Sequence, residues 1–199
     1  MSSTINGRTP EHSVAPLFLE RWSPRAFTGE ALPEAELMKI LEAARWAPSA
    51  YNAQPWRFVY ALRDTPAWPR LLSLLNQHNQ SWAKEAGALL ILFSKTTLVP
   101  PGADRAVPSA CHSFDTGAAW GYLALEATRL GWHAHAMAGF DKARAIEDLA
   151  VPEGYMAEAA IALGRQADKS VLPEALQTRE VPSGRTPVSG FAFAGKFKD

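Results

Sequence analysis

Residues 21–27 read RWSPRAF, a segment that places two arginines four positions apart with a serine midway between them. Pro24 disfavours a helix here and pushes Ser23 toward extended geometry. Alternate side chains of an extended chain point to the same side. We therefore predict that Arg21, Ser23 and Arg25 present their polar groups together, in an arrangement that suits an anion.

The composition is that of an ordinary globular protein with a single domain over residues 1–199. Of 199 residues, 47% are hydrophobic and 20% charged, enough for a sizeable core. Twenty basic side chains balance twenty acidic ones, which argues against nucleic acid or a membrane as a partner. The lone cysteine, Cys111, suits the reducing cytoplasm. The N-terminal residues lack the apolar core of a signal peptide, and no segment predicts a membrane span.

Hydrophobic periodicity predicts an α+β protein in which helices and strands alternate. The run ALLILFS at 88–94 is apolar throughout, which is typical of a strand buried on both faces. Residues 1–13 are expected to be flexible, and residues 165–199 to form an extended tail that lies across a partner chain. Helices are predicted before Pro24 and at about 32–47, 68–75, 114–130 and 142–149, and further strands at 56–62, 132–138 and 157–164.

A second informative segment, APSAYNAQPW at 47–56, links the predicted helix at 32–47 to a strand. Two prolines restrict the loop, while Ser49, Asn52 and Gln54 supply hydroxyl and amide groups. Composition alone favours a polar loop that merely ends a helix. The combination with RWSPRAF points to a binding site.

Together, RWSPRAF, APSAYNAQPW and the helix between them resemble the opening of the FMN-dependent nitroreductase family. The resemblance continues through NQSW at 79–82, FDTGAA at 114–119, GWHAHAMAGFD at 131–141 and GRTP at 184–187. It covers roughly residues 17–190 in the expected order, which makes it more specific than any single motif.

The resemblance implies a nitroreductase-like fold, with a central, mainly antiparallel sheet surrounded by helices and a C-terminal tail exchanged in a homodimer. It also implies FMN sites at the dimer interface and ping-pong hydride transfer from NADH or NADPH to a small acceptor such as a nitroaromatic or a quinone. The expected FMN ligands are Arg21 and Arg185 at the phosphate, Ser23 at the phosphate and ribityl chain, Arg25 at the N1 and O2 edge, Asn79 at the pyrimidine rim, Pro48, Ser49, Ala50, Asn52 and Gln54 around the ring from the partner subunit, and backbone at Met137, Ala138 and Gly139 near N5.

General chemistry supports these residue types. Arginine offers planar paired donors to a phosphate, and a positive charge near N1 favours the reduced flavin. We therefore expect Arg25 to influence the reduction potential most. Three positions differ from relatives, because Ala138, Trp82 and Ser183 stand where some members carry an acid, a base and a basic residue. The donor and the acceptor therefore stay open, and no catalytic acid or base of the protein's own is expected.

Other residue patterns give weaker signals for function. His133 and His135 alternate on a predicted strand, but two ligands do not make a metal site, so none is predicted. Cys111 and His112 are adjacent and point apart, which argues against a nucleophile with its base. We expect Trp22, Trp46 and Trp120 to pack, and Trp82 to lie near the cofactor. A flavin-fragmenting or reductive-dehalogenating relative and a non-catalytic flavin-binding protein remain alternative functions.

Overall fold

The computed structural model describes residues 4–198, where helices and strands alternate as predicted. The helices are α1 (Pro16–Glu20), α2 (Glu34–Arg45), α3 (Trp68–Leu74), α4 (Gln77–Ala83), α5 (His112–Arg129), α6 (Lys142–Asp148) and α7 (Glu174–Gln177). The strands are β1 (Trp56–Leu62), β2 (Ala88–Lys95), β3 (Thr97–Leu98), β4 (Val107–Pro108), β5 (His133–Met137) and β6 (Tyr155–Gly164).

A central antiparallel sheet organises the described residues, with strands in the order β1-β2-β6-β5. The strand β2 is buried from Ala88 to Ser94, which confirms the interpretation of ALLILFS. Its side chains alternate between two cores: Leu89 and Ile91 pack on one face, Leu90 and Leu92 on the other. This is the expected α+β, mainly antiparallel architecture.

Helices cover both faces of the sheet. On one face, α2 and α5 contribute Leu37, Ile40 and Leu123. On the other face, α3 contributes Leu71 and α4 contributes Trp82. Each fully buried large apolar side chain stabilises the fold by roughly 2 kcal/mol. These two helical layers therefore contribute much of the stability of the sheet.

Most predicted boundaries agree with the structure, and local chemistry explains them. Gly131 follows α5 with a φ of 77°, the left-handed conformation that ends helices. The Asp141 side chain caps α6 by accepting from Arg144 N at 3.0 Å. The sequence does not predict α4, because NQHNQSWA lacks an apolar stripe. This helix begins where the side chain of Asn76 accepts from Asn79 N at 2.8 Å.

The two ends of the chain meet over the segment 21–27. Phe27 forms an isolated bridge with Gln166, and Arg8 donates from Nε to the carbonyl of Ser183 at 3.0 Å. Of the segment expected to be flexible, residues 1–3 lie outside the described residues. Flexibility of residues 4–13 and exchange of the tail between subunits both stay predictions.

No helix within residues 4–198 is long and apolar enough to cross a membrane.

Candidate functional site

The segment 21–27 forms a strip beside the sheet, and its residues alternate between buried and partly exposed. An extended backbone produces this alternation. The guanidinium of Arg21 donates from Nη1 to Ser23 Oγ at 3.3 Å. The prediction of a common side is confirmed: Trp22, Pro24 and Ala26 are buried, whereas Arg21, Ser23 and Arg25 face the same cleft.

This cleft, which we call the arginine cleft, has a volume of about 370 Å³. Arg185 reaches it from the tail, and Arg8 reaches it from the N-terminal segment. The part of the chain that the structure describes places no aspartate or glutamate in its lining. The lining residues are Arg8, Arg21, Trp22, Ser23, Arg25, His135, Arg179, Val181, Ser183 and Arg185.

Positive charges in the arginine cleft act on one another. Burial lowers the pKa of the Arg21 guanidinium below its ordinary value, and the nearby charges of Arg185 and Arg8 lower it further. The pKa of Arg8 is lowered for the same reasons, by burial and by Arg185. Guanidiniums nevertheless stay charged at neutral pH, so an anion in this cleft relieves their repulsion.

Arg25 lies at one end of the arginine cleft and is paired with a buried acid. Its Nη1 is 3.6 Å from Glu180 Oε2, and Glu180 is 7% exposed. The other carboxylate oxygen of Glu180 accepts from the backbone N–H groups of Arg25 and Ala26 at 2.6 and 2.8 Å. Glu180, a residue of the C-terminal tail, therefore holds both the Arg25 guanidinium and the backbone of the strip.

His135 on β5 forms another wall of the arginine cleft. Its Nδ1 is 2.9 Å from the Pro24 carbonyl, so that nitrogen carries the proton and donates. Burial lowers the pKa of His135 below its ordinary value of 6.5, although this hydrogen bond opposes the shift. The ring also lies against Trp82, with the centroids 4.7 Å apart. The imidazole is therefore neutral at pH 7.

Asn79 meets Gly139, which lies two residues beyond the end of β5. Asn79 Nδ2 donates to the Gly139 carbonyl at 3.0 Å. A Cβ at residue 139 would collide with the amide nitrogens of Asn76 and Asn79. These two amides fill the space next to Gly139, and a close approach of its backbone to a flavin ring stays a prediction. Ala138 is exposed beside them, whereas Met137 is buried in the core.

The segment 48–54, which we call the 48–54 loop, is held in an unusual backbone conformation. Tyr51, Asn52 and Gln54 have φ values of 52°, 56° and 46°, which residues other than glycine rarely adopt. Asp115 of α5, which is 5% exposed, accepts from Ala50 N at 3.0 Å. Ser49 Oγ accepts from Gln54 N at 3.0 Å and closes the loop. None of the residues 48–54 lines the arginine cleft of the described chain.

A model of the nitroreductase family matches residues 19–165, well over half of the chain. The chain belongs to the nitroreductase family. The matched range contains the strip, the 48–54 loop, Asn79 and Gly139, and it ends before Arg185.

Solved and curated relatives agree with this membership. A crystal structure described as an oxidoreductase containing FMN is 50% identical, has a TM-score of 0.94 and covers 98% of both chains. A Thermus thermophilus protein named NADH dehydrogenase is 32% identical over 178 residues, which cover 76% of this chain and 85% of the relative. A Streptomyces coelicolor protein named as a candidate NADH dehydrogenase/NAD(P)H nitroreductase is 31% identical over 151 residues, 68% of this chain and 74% of the relative.

The structure of this nitroreductase family member adds residues that the sequence analysis did not select. Arg8, Glu180 and Asp115 contact predicted site residues across at least 13 positions of sequence. No signal in the sequence separated Arg8 from surface arginines. No signal in the sequence separated Glu180 or Asp115 from surface acids.

One expectation for an aromatic residue needs correction in this nitroreductase family member. Trp46 does not pack within its own chain: it is 67% exposed and lies under the Arg45 guanidinium. Trp82 is almost fully buried and contacts His135 of the cleft wall, and its place near the cofactor stays a prediction. Trp22 and Trp120 pack as predicted. Within the described range, no three His, Cys, Asp or Glu residues gather as a metal site.

Proposed function

We propose that the protein is an FMN-dependent oxidoreductase that reduces electron-poor acceptors, such as nitroaromatics or quinones, with NADH or NADPH. The observation that carries this proposal is the arginine cleft: a site of several guanidiniums without a lining carboxylate, in a chain 50% identical to an FMN-containing oxidoreductase.

The chemistry of the arginine cleft fits a phosphate monoester. A phosphate carries close to two negative charges near neutral pH and accepts several charge-assisted hydrogen bonds. Arg21 and Arg185 would hold it, and the Ser23 hydroxyl, already 3.3 Å from Arg21 Nη1, would contact the phosphate and the adjoining ribityl oxygen. Arg25 would then lie nearer the ring, because it is about 13 Å from Arg21 along an extended chain.

The ring end of the cofactor would lie toward Asn79 and the 137–139 segment. Asn79 offers a donor and an acceptor side by side, which matches the pyrimidine edge of a flavin. Backbone at Met137, Ala138 and Gly139 would lie near N5. Pro48, Ser49, Ala50, Asn52 and Gln54 would cover the ring from a second subunit.

When bound, FMN accepts a hydride from NADH or NADPH and passes it to the acceptor in alternating half-reactions. The side chains of the protein hold and orient the participants. Arg25 places a positive charge beside the ring edge and thereby favours the reduced state, while Glu180 limits that charge. His135 is neutral and donates from Nδ1 to Pro24, so it holds the strip in place.

A homodimer is part of this proposal, because the 48–54 loop and its surroundings expose apolar side chains. Tyr51 is 69% exposed and Phe114 is 82% exposed. The hydrogen bond between Ala50 N and Asp115 brings the neighbours of these two residues together. Large exposed apolar side chains on neighbouring segments are typical of an interface between subunits. We also propose the cytoplasm as the location, because a free cysteine, Cys111, suits a reducing compartment.

An anaerobic titration tests the proposal. Purified protein reconstituted with FMN is titrated with NADH and with NADPH, and then with a quinone or a nitroaromatic. We expect the flavin absorbance near the visible maximum to be lost with one nicotinamide and to return with the acceptor. A bound flavin that neither nucleotide reduces would favour a non-catalytic flavin protein. Loss of the flavin spectrum in air without recovery would favour a flavin-fragmenting enzyme.

A further inference from the structure

Arg8 has no assigned role, although it lies in the arginine cleft with Arg21 and Arg185. We propose that Arg8 is a third guanidinium of the phosphate site, supplied to the cleft by the N-terminal segment. This inference rests on the proposed function, because it takes the phosphate to be that of FMN.

Backbone carbonyls fix the Arg8 side chain in place. Its Nη1 donates to the carbonyls of Leu19 and Arg21 at 3.1 and 2.9 Å, and its Nε donates to the carbonyl of Ser183 at 3.0 Å. Among the described residues, Nη2 donates to no protein oxygen. A guanidinium held in this way loses little further side-chain entropy when it binds an anion through its remaining donor.

These contacts place Arg8 between the two segments that carry the predicted phosphate ligands. The carbonyl of Arg21 belongs to the strip, and Ser183 is two residues before Arg185. Arg185 itself donates from Nη1 to Ser183 Oγ at 3.1 Å. Arg8 therefore ties the strip to the tail at the point where their guanidiniums converge.

The arginine cleft has an excess of positive charge that no carboxylate among the lining residues of the described chain balances. Arg8 and Arg185 both lower the pKa of Arg21, and Arg185 lowers the pKa of Arg8, so all three charges sense one another. Among the described residues, the one ion pair that involves the lining, between Arg25 and Glu180, lies at the end of the strip near Arg25. Within residues 4–198, none of the four other lining arginines, Arg8, Arg21, Arg179 and Arg185, has a carboxylate partner in the ion pairs of the fold. A phosphate dianion supplies the missing charge.

The position of Ser183 explains why the third charge comes from the N-terminal segment. Ser183 lines the arginine cleft but brings no charge, and Arg8 lies against its carbonyl. A lysine at residue 183 would place an ammonium group in the same cleft. The charge lost in an Arg8 variant could therefore be restored from the tail.

The test compares two ligands that differ only in the phosphate. Dissociation constants of FMN and riboflavin are measured by flavin fluorescence for the full chain freed of flavin, and for Arg8→Gln, Arg8→Lys and Arg8→Gln/Ser183→Lys. Arg63→Gln is the matched control, because Arg63 also donates to two backbone carbonyls, those of Lys84 and Ala86, but lies outside the arginine cleft.

We expect Arg8→Gln to weaken FMN binding by about tenfold or more and to leave riboflavin binding unchanged, because one charge-assisted contact is lost. Arg8→Lys and the Ser183→Lys double variant should recover much of the loss, and Arg63→Gln should behave like the wild type. The dependence of FMN affinity on salt should also become less steep in Arg8→Gln.

Three results would overturn the role of Arg8. Equal weakening of FMN and riboflavin would indicate that Arg8 only supports the fold. Unchanged FMN affinity in Arg8→Gln would remove it from the phosphate site. A changed KM for NADPH relative to NADH, with FMN affinity intact, would assign Arg8 to the nucleotide donor. Failure of the wild type to prefer FMN over riboflavin would instead contradict the proposed function itself.

Discussion

The arginine cleft and the 48–54 loop are both rigidly held, but they differ in what completes them. The cleft draws the strip, β5, the N-terminal segment and the tail of one chain around a common space. The loop is fixed from beneath by Asp115, yet it turns Tyr51 and Asn52 toward solvent in a strained backbone. In the described chain, four segments close around the cleft, whereas the loop leaves Tyr51 and Asn52 exposed.

This contrast suggests a division of labour. Long-range contacts within the chain secure the anion-binding end of the proposed FMN site, so phosphate affinity should depend on residues of the cleft alone. The loop should matter for the ring end and for association of subunits. Variants of the cleft and variants of the loop should therefore have separable effects on phosphate affinity and on subunit association.

The largest effect is expected from Arg25→Ala, which removes a guanidinium from the arginine cleft. The variant leaves the buried Glu180 carboxylate without its cationic partner and should lower the free energy of unfolding by about 2 kcal/mol. FMN should bind more weakly or at an altered reduction potential, and more so than in Arg21→Lys. Chemical denaturation and spectroelectrochemistry measure the two effects. Unchanged FMN affinity and unchanged potential would refute the role of Arg25.

A smaller effect is expected from Asp115→Ala, which releases the loop. Ala50 N loses its charged acceptor, a bond that contributes about 1.5 kcal/mol. Hydrogen exchange of residues 49–54 should accelerate by about tenfold, while the preference for FMN over riboflavin persists. Asp141→Ala is the control, because it removes the N-terminal cap of α6 and Asp141 is distant in sequence from the 48–54 loop. Equal acceleration in both variants would show that the loop is not specifically held by Asp115.

Acid pH should weaken the cleft wall. Burial lowers the pKa of both His133 and His135 below 6.5, so the unfolded chain binds protons that the folded chain resists. Stability is therefore complete above pH 6.5 and is lost as the pH falls through that value, by at most about 1.4 kcal/mol per pH unit for each histidine. His135→Gln keeps a donor for Pro24 and should reduce this slope in urea unfolding. A slope equal to that of the wild type would exclude His135 as its source.

The smallest effect is expected from Tyr51→Gly. Glycine tolerates the φ of 52°, so relief of strain should stabilise the monomer by about 0.5–1 kcal/mol. The loss of an exposed aromatic ring should at the same time weaken subunit association in analytical ultracentrifugation. Ala150→Gly is the matched control, because Ala150 has a φ of 50° away from the loop. Tighter or equal association in Tyr51→Gly would argue against the loop as an interface.

Local signals explain how much of the fold and of the candidate site the sequence predicts. Pro24 and the alternation around it predict the common side of Arg21, Ser23 and Arg25, and the apolar run 88–94 predicts the buried central strand. The helix α4 escapes prediction because its polar residues depend on a cap at Asn76 and on packing of Trp82.

The residues that support the site could not be predicted because their partners are distant in sequence. Glu180 contacts Arg25 across 155 positions, and Asp115 contacts Ala50 across 65. The exposure of Trp46 is equally unpredictable. Its neighbours in the sequence do not indicate whether another segment packs over the end of α2. Only the folded chain places these groups.

A mixed-dimer measurement tests most directly whether the cleft of one chain and the loop of another form one site. Arg21→Ala damages the cleft, and Ala50→Trp adds bulk where the flavin ring is proposed to lie. The two proteins are mixed in equal amounts under conditions that exchange subunits, and NADH oxidation with FMN is compared with that of each variant alone. In a symmetric dimer with shared sites, about a quarter of the sites in the mixture should be intact, so activity should return. If each chain builds its site alone, mixing will restore nothing, and that result would contradict the account.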